Sequence, residues 1–331
     1  MAAAKEENKN PRMWGEKPYR SLDWHLRNIY GEKVYKLALN GGMTCPNRDG
    51  KVGTGGCIFC SAGGSGDFAA DKRLTVKEQI RVQKEALREK KPARKYIAYF
   101  QAYTNTYAPV DYLEKIYTEA MSDEEVVILS VATRPDCLPQ ETLELLGRLR
   151  EKKPVWVELG LQTMHEDTAD FIRRGYKLEC FERAVDDLRA RGIEVIVHVI
   201  LGLPGENKER MLQTVDYLGK MDIQGIKLQL LHILEGTDLG NLYREGKVPV
   251  MTMEEYTGTV IECLEHLPPE ITVHRLTGDG PKDLLLAPVW SCAKRTVLNT
   301  IHSRMKEQGA YQGKRFLREE YEWQTYTHYI N

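Results

Sequence analysis

Six apolar, β-branched segments recur between residues 34 and 231, and a stretch with helical periodicity separates each from the next. Continuous apolar runs of this length are typical of strands that are buried on both faces of a sheet. Strands that alternate with helices predict parallel βαβ units, because a parallel neighbour needs a long crossover connection. The sequence therefore predicts an α/β fold with strands at Val34–Leu39, Tyr96–Phe100, Val126–Ala132, Val155–Gly160, Glu194–Leu201 and Gly225–Leu231.

The composition predicts a cytoplasmic protein with reduced thiols. The first ten residues, MAAAKEENKN, lack the apolar core of a secretory signal. The longest apolar stretch, at 193–203, is interrupted by Glu194 and His198 and is far shorter than the ~20 residues of a membrane span. Seven cysteines without an export signal favour reactive or metal-binding thiols over disulfides. The net charge of −1 neither favours nor excludes a polyanionic partner.

Three cysteines follow the first predicted strand in the segment CPNRDGKVGTGGCIFC, with the spacing C-x11-C-x2-C. The segment lies at the carboxyl end of that strand, where α/β folds carry their chemistry. Its glycines let the backbone curl around a bulky group, and its thiolates suit zinc or an iron–sulfur cluster equally well. A zinc site needs a fourth ligand, for which His25 and Cys137 are candidates, so the spacing alone leaves both kinds of site open.

Five further segments follow in an order that matches a known superfamily. They are ATRPDCL (132–138), ELGLQT (158–163), RRGY (173–176), HVILGLPGE (198–206) and EGTDL (235–239). Together with the cysteine loop and Phe59, they resemble the radical S-adenosylmethionine (SAM) superfamily. The segments CPNRDG, FQAYTNTYAP and TGDGP resemble a stand-alone bacterial family related to the Elongator catalytic subunit. The resemblance covers about residues 20 to 320.

This resemblance implies a fold and two cofactors. The fold is a partial (βα)6 TIM-type barrel with a C-terminal α/β extension. Residues 1–20 would form a flexible tail, 21–240 the barrel with its cysteine loop at 45–60, and 241–331 the extension. The cofactors are a [4Fe–4S] cluster and SAM. In the superfamily, three cysteines bind three irons and SAM binds the fourth; here these cysteines are Cys45, Cys57 and Cys60.

The resemblance also assigns SAM contacts. Gln162, in the same segment as Glu158, matches a glutamine that lies against SAM. Arg174 matches an arginine that pairs with the SAM carboxylate, as a guanidinium fork can. The segment with Gly202 and Pro204 matches the one that approaches the adenine. Many members hold the SAM amino group with Gly-Gly-Glu; this chain has FQAYTN there, so the resemblance leaves that role to Gln101 or Thr104.

The Elongator-like segments imply that the substrate is the wobble uridine of tRNA. One branch of the family converts a 5-carboxymethylaminomethyl group to aminomethyl before a downstream methyltransferase acts. Such an enzyme needs an electron donor such as flavodoxin or ferredoxin. The chain leaves no room for the acetyltransferase domain of the Elongator subunit, so carboxymethylation with acetyl-CoA is not expected. Removal of a carboxymethyl group breaks an unactivated bond beside nitrogen, which radical chemistry allows.

Two regions are candidates for RNA contact. One is the loop with Tyr103 and Asn105 after the second strand. The other, residues 282–320, carries eight Lys or Arg against four Asp or Glu, and combines aromatic side chains with Lys294, Arg295, Lys314 and Arg315. Two alternatives stay open at this point. The chain is a radical SAM enzyme for a small metabolite or a protein, or it is a non-catalytic, zinc-stabilised RNA-binding protein.

Overall fold

A computed structural model describes residues 13–64, 66, 69–88 and 94–316. In these ranges seven parallel strands form one sheet that curls into a partial barrel, in the order β1-β2-β3-β4-β5-β6-β8. A separate antiparallel pair joins β7 to β9. The strands are β1 (Val34–Leu39), β2 (Lys95–Phe100), β3 (Val126–Thr133), β4 (Val155–Gln162), β5 (Glu194–Leu201), β6 (Gly225–Leu230), β7 (Ile233–Leu234), β8 (Thr272–Arg275) and β9 (Leu285–Ala287).

The structure confirms the predicted α/β partial barrel. All six predicted strands are present, and β1 and β5 have the predicted bounds. The sheet continues with β8, which pairs with β6 in parallel. Part of the predicted extension therefore completes the sheet.

The helices begin at signals that the sequence carries. Thr75 and Glu78 form a reciprocal pair at the start of the second helix, in which each side chain binds the other residue's backbone N–H. Gly31 ends the first helix in the left-handed conformation that glycine favours. The helices are α1 (Leu22–Tyr30), α2 (Val76–Arg88), α3 (Val110–Met121), α4 (Gln140–Arg150), α5 (Glu166–Phe171), α6 (Leu178–Arg189), α7 (Lys208–Gly219), α8 (Asp238–Arg244), α9 (Met253–His266) and α10 (Lys294–Gln308).

The interior of the barrel is closed at the amino ends of its strands. Ile97 of β2, Ile128 of β3, Trp156 of β4 and Ile196 of β5 belong to one buried apolar cluster. Leu26 of α1 packs into the same cluster, so this helix covers the amino end of the barrel. The loops of the predicted site lie at the carboxyl end of the strands, which is where barrels of this kind place their active sites.

Part of the predicted flexible tail is ordered, which corrects that expectation for residues 13–20. Tyr19 is buried, and its hydroxyl lies 2.9 Å from His302 Nε2 on α10. The backbone N–H of Arg20 donates to Gln312 Oε1 at 2.8 Å. These contacts tie the chain before α1 to the C-terminal part of the fold. Residues 1–12 of the tail and residues 317–331 of the extension lie outside the described residues.

The C-terminal helices pack on the outside of the sheet. Val260 and Leu264 of α9 share the main core with Val297 and Ile301 of α10. Among the described residues, no helix combines the length and the apolar character that crossing a membrane requires.

Candidate cofactor and substrate site

The three-cysteine loop forms a compact turn at the carboxyl end of β1. The N–H of Arg48 donates to the carbonyl of Cys45 at 2.8 Å, and the N–H of Gly56 donates to the carbonyl of Asn47 at 2.8 Å. Gly50, Gly55 and Gly56 have φ values of 94°, 82° and 84°, in the region that favours glycine. The loop therefore doubles back on itself, as expected for a segment that wraps a bulky group.

The three thiols are half-buried and influence one another electrostatically. Burial, together with the neighbouring Cys60 and Cys45, raises the pKa of Cys57 to about 11. Asn47 Nδ2 lies 3.6 Å from Cys57 Sγ and is placed to donate to it. Neighbouring thiolates in a poorly hydrated loop repel each other, so their deprotonated form needs a positive group between them. This donor set fits an iron–sulfur cluster, whose ligands are thiolates.

The described residues offer no complete zinc site. No three His, Cys, Asp or Glu side chains in these residues, Cys45, Cys57 and Cys60 included, are arranged to hold a metal ion, so the fit to a cluster rests on the chemistry of the three thiols and not on their spacing. His25, a candidate fourth ligand, lies on α1 at the closed end of the barrel, where its Nδ1 is 3.1 Å from Arg20 Nη2. Cys137, the other candidate, is buried with its Sγ 3.8 Å from Asp136.

The loop after β2 supports the cysteine loop. The Arg48 guanidinium donates to the carbonyl of Cys60 at 3.0 Å and to that of Ser61 at 2.5 Å. Tyr103 lies against it, with the Arg48 guanidinium 5.6 Å from its ring centre and its own hydroxyl donating to the carbonyl of Ala62. Tyr103 was predicted to contact substrate, but in the structure it holds the chain that follows the last cysteine.

The other residues of the loop after β2 are also internal. Thr104 is buried, and its N–H donates to the carbonyl of Thr44 beside the first cysteine. The N–H of Gln101, which is half-buried, donates to the carbonyl of Leu39. Asn105, a predicted substrate or RNA contact, is fully buried in this structure, and its side chain donates to the carbonyl of Ala132 at 2.8 Å.

Gln162 and Gly202 lie at the carboxyl ends of β4 and β5. Gln162 has a φ of 69°, an unusual value for a residue with a side chain, and the ladder between the two strands shifts register there. A Cβ at Gly160 would lie 2.7 Å from Gln162 Nε2, so the glycine leaves room for this side chain. Gly202 has a φ of 86°, and Pro204 is half-buried two residues later. Their positions fit the predicted SAM face.

Arg174 has a different role from the one predicted. Its guanidinium is buried and donates to the carbonyls of Leu161, Thr163 and Tyr176 at 3.2, 2.7 and 3.1 Å. A fourth bond, at 3.0 Å, goes to the carboxylate of Glu166. Four of its five N–H groups are thus used by the protein, which leaves no free fork for the SAM carboxylate. In this structure Arg174 fixes the chain that follows β4.

Arg134 is a neighbour of the site that the sequence did not single out. Its guanidinium pairs with Asp136 and donates to the carbonyl of Arg174 at 2.9 Å. It also lies 4.9 Å from the ring centre of Tyr176, and its charge lowers the pKa of Cys57. The segment ATRPDCL contains this arginine. Nothing in the sequence indicates, however, that Arg134 lies near the cysteine loop.

A buried ionic cluster occupies the middle of the barrel, and Glu158 is its centre. The Glu158 carboxylate is bound by Lys36 Nζ at 2.8 Å, Ser130 Oγ at 3.0 Å, His198 Nε2 at 2.7 Å and Lys227 Nζ. A carboxylate has about four acceptor sites, so Glu158 is saturated. In this structure the Glu158 side chain serves the interior of the barrel, and its SAM contact stays a prediction.

Sequence reasoning missed Lys36 and Lys227 because each interrupts an otherwise apolar strand. A charged residue inside such a strand is the signal that could have revealed them. Burial acts to raise the pKa of Glu158, and the charges of Lys227 and Lys36 act to lower it. The two lysines prevail and hold this pKa well below its ordinary value. Burial lowers the pKa of Lys227, while Glu158 acts to raise it. The pair is ionised because each group provides the other's counter-charge.

We expect His198 to titrate near pH 4. Burial, and then the charge of Lys227, lower its pKa to about 4, although Glu158 acts in the opposite direction. The unfolded chain binds this proton from about pH 6.5 downwards, whereas the folded chain does not until about pH 4. The free energy of unfolding should therefore fall as the pH drops through this window. In His198→Gln, which lacks this titrating group, it should fall less steeply. Imidazole NMR signals followed against pH check this; a midpoint near 6.5 for His198 would contradict it.

The four basic residues predicted to contact RNA do not form one surface. Lys294 begins α10 and pairs with Asp279 at 2.7 Å, just after the carboxyl end of β8. Lys314 and Arg315 pair with Glu265 near the end of α9, at 3.4 and 2.9 Å. They lie near the start of β8, and hence at the opposite end of the barrel from the cysteine loop. Arg295 is exposed. The basic run at 282–320 is thus divided between the two ends of the barrel, and the RNA contacts of its residues stay a prediction.

The sequence of this chain matches two known protein families and several relatives. The family described as "Radical SAM superfamily" matches residues 47–218, and the one described as "Radical_SAM C-terminal domain" matches residues 223–307. The protein YtqA of Bacillus subtilis is 47% identical over 307 residues, which are 93% of this chain and 95% of YtqA.

Two more distant proteins share part of the sequence or the fold. The tRNA uridine(34) acetyltransferase of Methanocaldococcus jannaschii is 22% identical over 191 residues, which are 57% of this chain and 34% of that protein. The structure of archaeal Methanocaldococcus infernus Elp3 superposes with a TM-score of 0.66 at 16% identity, covering 84% of this chain and 64% of that one. This last likeness shows that the fold is shared.

Proposed function

Because this chain belongs to the radical SAM superfamily, we propose that it modifies the wobble uridine of tRNA, converting a 5-carboxymethylaminomethyl group to aminomethyl. Membership implies an enzyme that uses SAM and a [4Fe–4S] cluster. The substrate is the proposed part. It is supported by the similarity of 191 residues to a tRNA uridine(34) acetyltransferase.

The observation that carries the proposal is the arrangement of the barrel mouth. The cysteine loop, Gln162 and Gly202 all lie at the carboxyl ends of the parallel strands, above an interior lined by charged side chains. A charged interior suits a polar substrate group better than a hydrocarbon. A single-stranded anticodon base can be turned out of its stack and enter such a mouth, whereas a paired base cannot.

The residues of this chain have separate roles in the proposed reaction. Cys45, Cys57 and Cys60 would hold the cluster, and Gln162, Gly202 and Pro204 would line the SAM face, with Gln101 or Thr104 at the SAM amino group. When bound, the cluster and SAM supply a radical that abstracts hydrogen from carbon. Arg48, Tyr103 and Arg174 keep the surrounding loops in place through the contacts described above. An electron donor such as flavodoxin or ferredoxin and a downstream methyltransferase complete the proposed pathway.

We expect deletion of the gene to change the wobble uridines of tRNA. Total tRNA from the deletion strain, digested and analysed by nucleoside mass spectrometry, should accumulate 5-carboxymethylaminomethyluridine and lose its aminomethyl product. Complementation with the wild-type gene should restore the profile, and complementation with Cys57→Ala should not. An unchanged nucleoside profile in the deletion strain would contradict the tRNA substrate.

A second candidate function has its own supporting observation. Lys314 and Arg315 pair with Glu265 away from the barrel mouth, so these two residues add no positive charge beside it. A mouth without the charge of these two residues would also suit a small polar metabolite or a peptide. SAM cleavage by the purified enzyme that bulk tRNA does not stimulate, together with an unchanged nucleoside profile, would favour this candidate.

A further inference from the structure

The polar layer of the barrel is built from one side chain on each of six consecutive strands. These side chains are Lys36 (β1), Tyr99 (β2), Ser130 (β3), Glu158 (β4), His198 (β5) and Lys227 (β6). The apolar cluster that includes Ile97, Ile128 and Trp156 lies beneath this layer, towards the amino ends of the strands. The polar layer, called the floor below, therefore lies on the mouth side of the apolar cluster.

The two lysines of the floor keep hydrogen-bonding capacity that the protein does not use. Lys36 Nζ makes one hydrogen bond within the described residues, to Glu158, and its side chain is 25% exposed. Lys227 Nζ donates to Glu158 and, at 3.1 Å, to Tyr99. An ammonium group has three donors, so two N–H groups of Lys36 and one of Lys227 remain. Glu158 itself is saturated and cannot accept them.

The charges of the floor do not balance. Lys36 and Lys227 carry two positive charges against the single negative charge of Glu158, since His198 is neutral at pH 7. Arg275 on β8 is nearby and pairs at 3.4 Å with Asp279, which it shares with Lys294. An excess positive charge in a poorly hydrated interior is costly unless an anion approaches it. Both lysines also lie 4.6 Å from the ring centre of Tyr99, which orients them without neutralising them.

We propose that Lys36 and Lys227 form a binding site for a carboxylate group that the substrate carries into the barrel. If the proposed function holds, on which this inference rests, the site would receive the carboxylate of the carboxymethylaminomethyl group. Unused N–H donors, the excess positive charge and the position at the floor all suit a single acceptor-rich anionic group. Glu158 acts as a positioning residue, because it holds both ammonium groups on the same side of the barrel.

The test uses the cluster-loaded protein and small probes under anaerobic conditions. N-methylglycine carries a carboxymethyl group on a secondary amine, dimethylamine lacks the carboxylate, and inorganic phosphate is a different anion. We expect isothermal titration calorimetry to detect binding of N-methylglycine and none of dimethylamine. Lys36→Met should weaken N-methylglycine binding about 10- to 100-fold, the effect of losing a hydrogen bond between charged groups.

Lys33→Met is the matched control, because Lys33 lies three residues away, half-exposed at the start of the barrel's first strand. It should bind N-methylglycine like the wild type, and Lys36→Arg should recover most of the affinity. Lys36→Met should remain folded, since Glu158 keeps Lys227, His198 and Ser130; its thermal unfolding curve verifies this. The proposal would be overturned if folded Lys36→Met bound N-methylglycine as tightly as the wild type does, or if the wild type bound dimethylamine equally well. Tighter binding of phosphate than of N-methylglycine would show that the site is not selective for a carboxylate.

The proposal of a carboxylate site and the proposal of a tRNA substrate can be contradicted independently. If N-methylglycine binds through Lys36 while the deletion strain has unchanged wobble uridines, the proposed function is wrong and the carboxylate site stands. If the deletion strain lacks the aminomethyl product while N-methylglycine binds Lys36→Met normally, the function stands and the site is wrong.

Discussion

Replacement of Cys57 by alanine should abolish cluster binding and SAM cleavage while the barrel still folds. Cys57 Sγ is one of three thiols on a single loop, so its loss leaves two ligands where a site-differentiated cluster uses three. The loop lies outside the strands and the main core, so the fold should persist. Anaerobic reconstitution should show loss of the iron–thiolate absorption near about 400 nm and of 5′-deoxyadenosine formation, with an unchanged far-ultraviolet circular dichroism spectrum.

Cys292→Ala is the matched control for this experiment. Cys292 is exposed and lies just before α10, outside the cysteine loop, so its replacement should leave iron content and SAM cleavage at wild-type levels. If Cys57→Ala retained a full cluster and cleaved SAM, the assignment of the three cysteines as cluster ligands would be wrong. Zinc in place of iron in the wild-type protein, with no 5′-deoxyadenosine formed, would instead support the zinc-stabilised alternative.

Replacement of Glu158 by alanine should lower the free energy of unfolding by about 3–5 kcal/mol, the cost of leaving a buried charge without its partner. The side chain of Lys227 is 5% exposed and would lose the only carboxylate that it contacts in the described residues. Burial already lowers the pKa of Lys227, so removal of Glu158 favours its neutral form and limits the loss. Urea unfolding should show a lower midpoint with an unchanged slope.

Two comparisons make the Glu158 result specific. Glu262→Ala removes an acid that pairs with Lys208 at 2.8 Å near the surface, and it should cost about 0–1 kcal/mol. The double variant Glu158→Leu, Lys227→Met removes both charges and should recover part of the stability lost in Glu158→Ala. If Glu158→Ala were as stable as Glu262→Ala, the interior cluster would not be a buried ionic network.

Much of the barrel could be predicted from the sequence because strands buried on both faces have a strong local pattern. β1 and β5 were predicted residue by residue, even though Lys36 and His198 interrupt them. Helix starts such as Thr75 with Glu78 are equally local, because both partners lie within one turn. The length of β4 was underestimated because Gln162 extends it through a register shift that no local pattern reveals.

The candidate site was only partly predictable, because several of its side chains are decided by partners far along the chain. Arg174 was expected to bind SAM, yet the carbonyls of Leu161 and Thr163 and the carboxylate of Glu166 take its donors. Asn105 was a candidate for substrate or RNA contact, yet it is buried against the end of β3. A polar residue near a motif has the same local sequence whether it faces a ligand or the protein's own backbone.

The sequence by itself determined the order of strands and helices, the position of the cysteine loop at a strand end and the superfamily. The strand and helix order and the loop position follow from local periodicity, glycine placement and spacing, which involve neighbours in the chain, and the superfamily follows from the resemblance of the short motifs. Only the tertiary structure decided that Glu158 joins Lys36, His198 and Lys227 inside the barrel, and that Lys314 and Arg315 lie away from its mouth. Ionic contacts form between side chains brought together by curling of the sheet, and that proximity has no signal in the linear spacing of the residues.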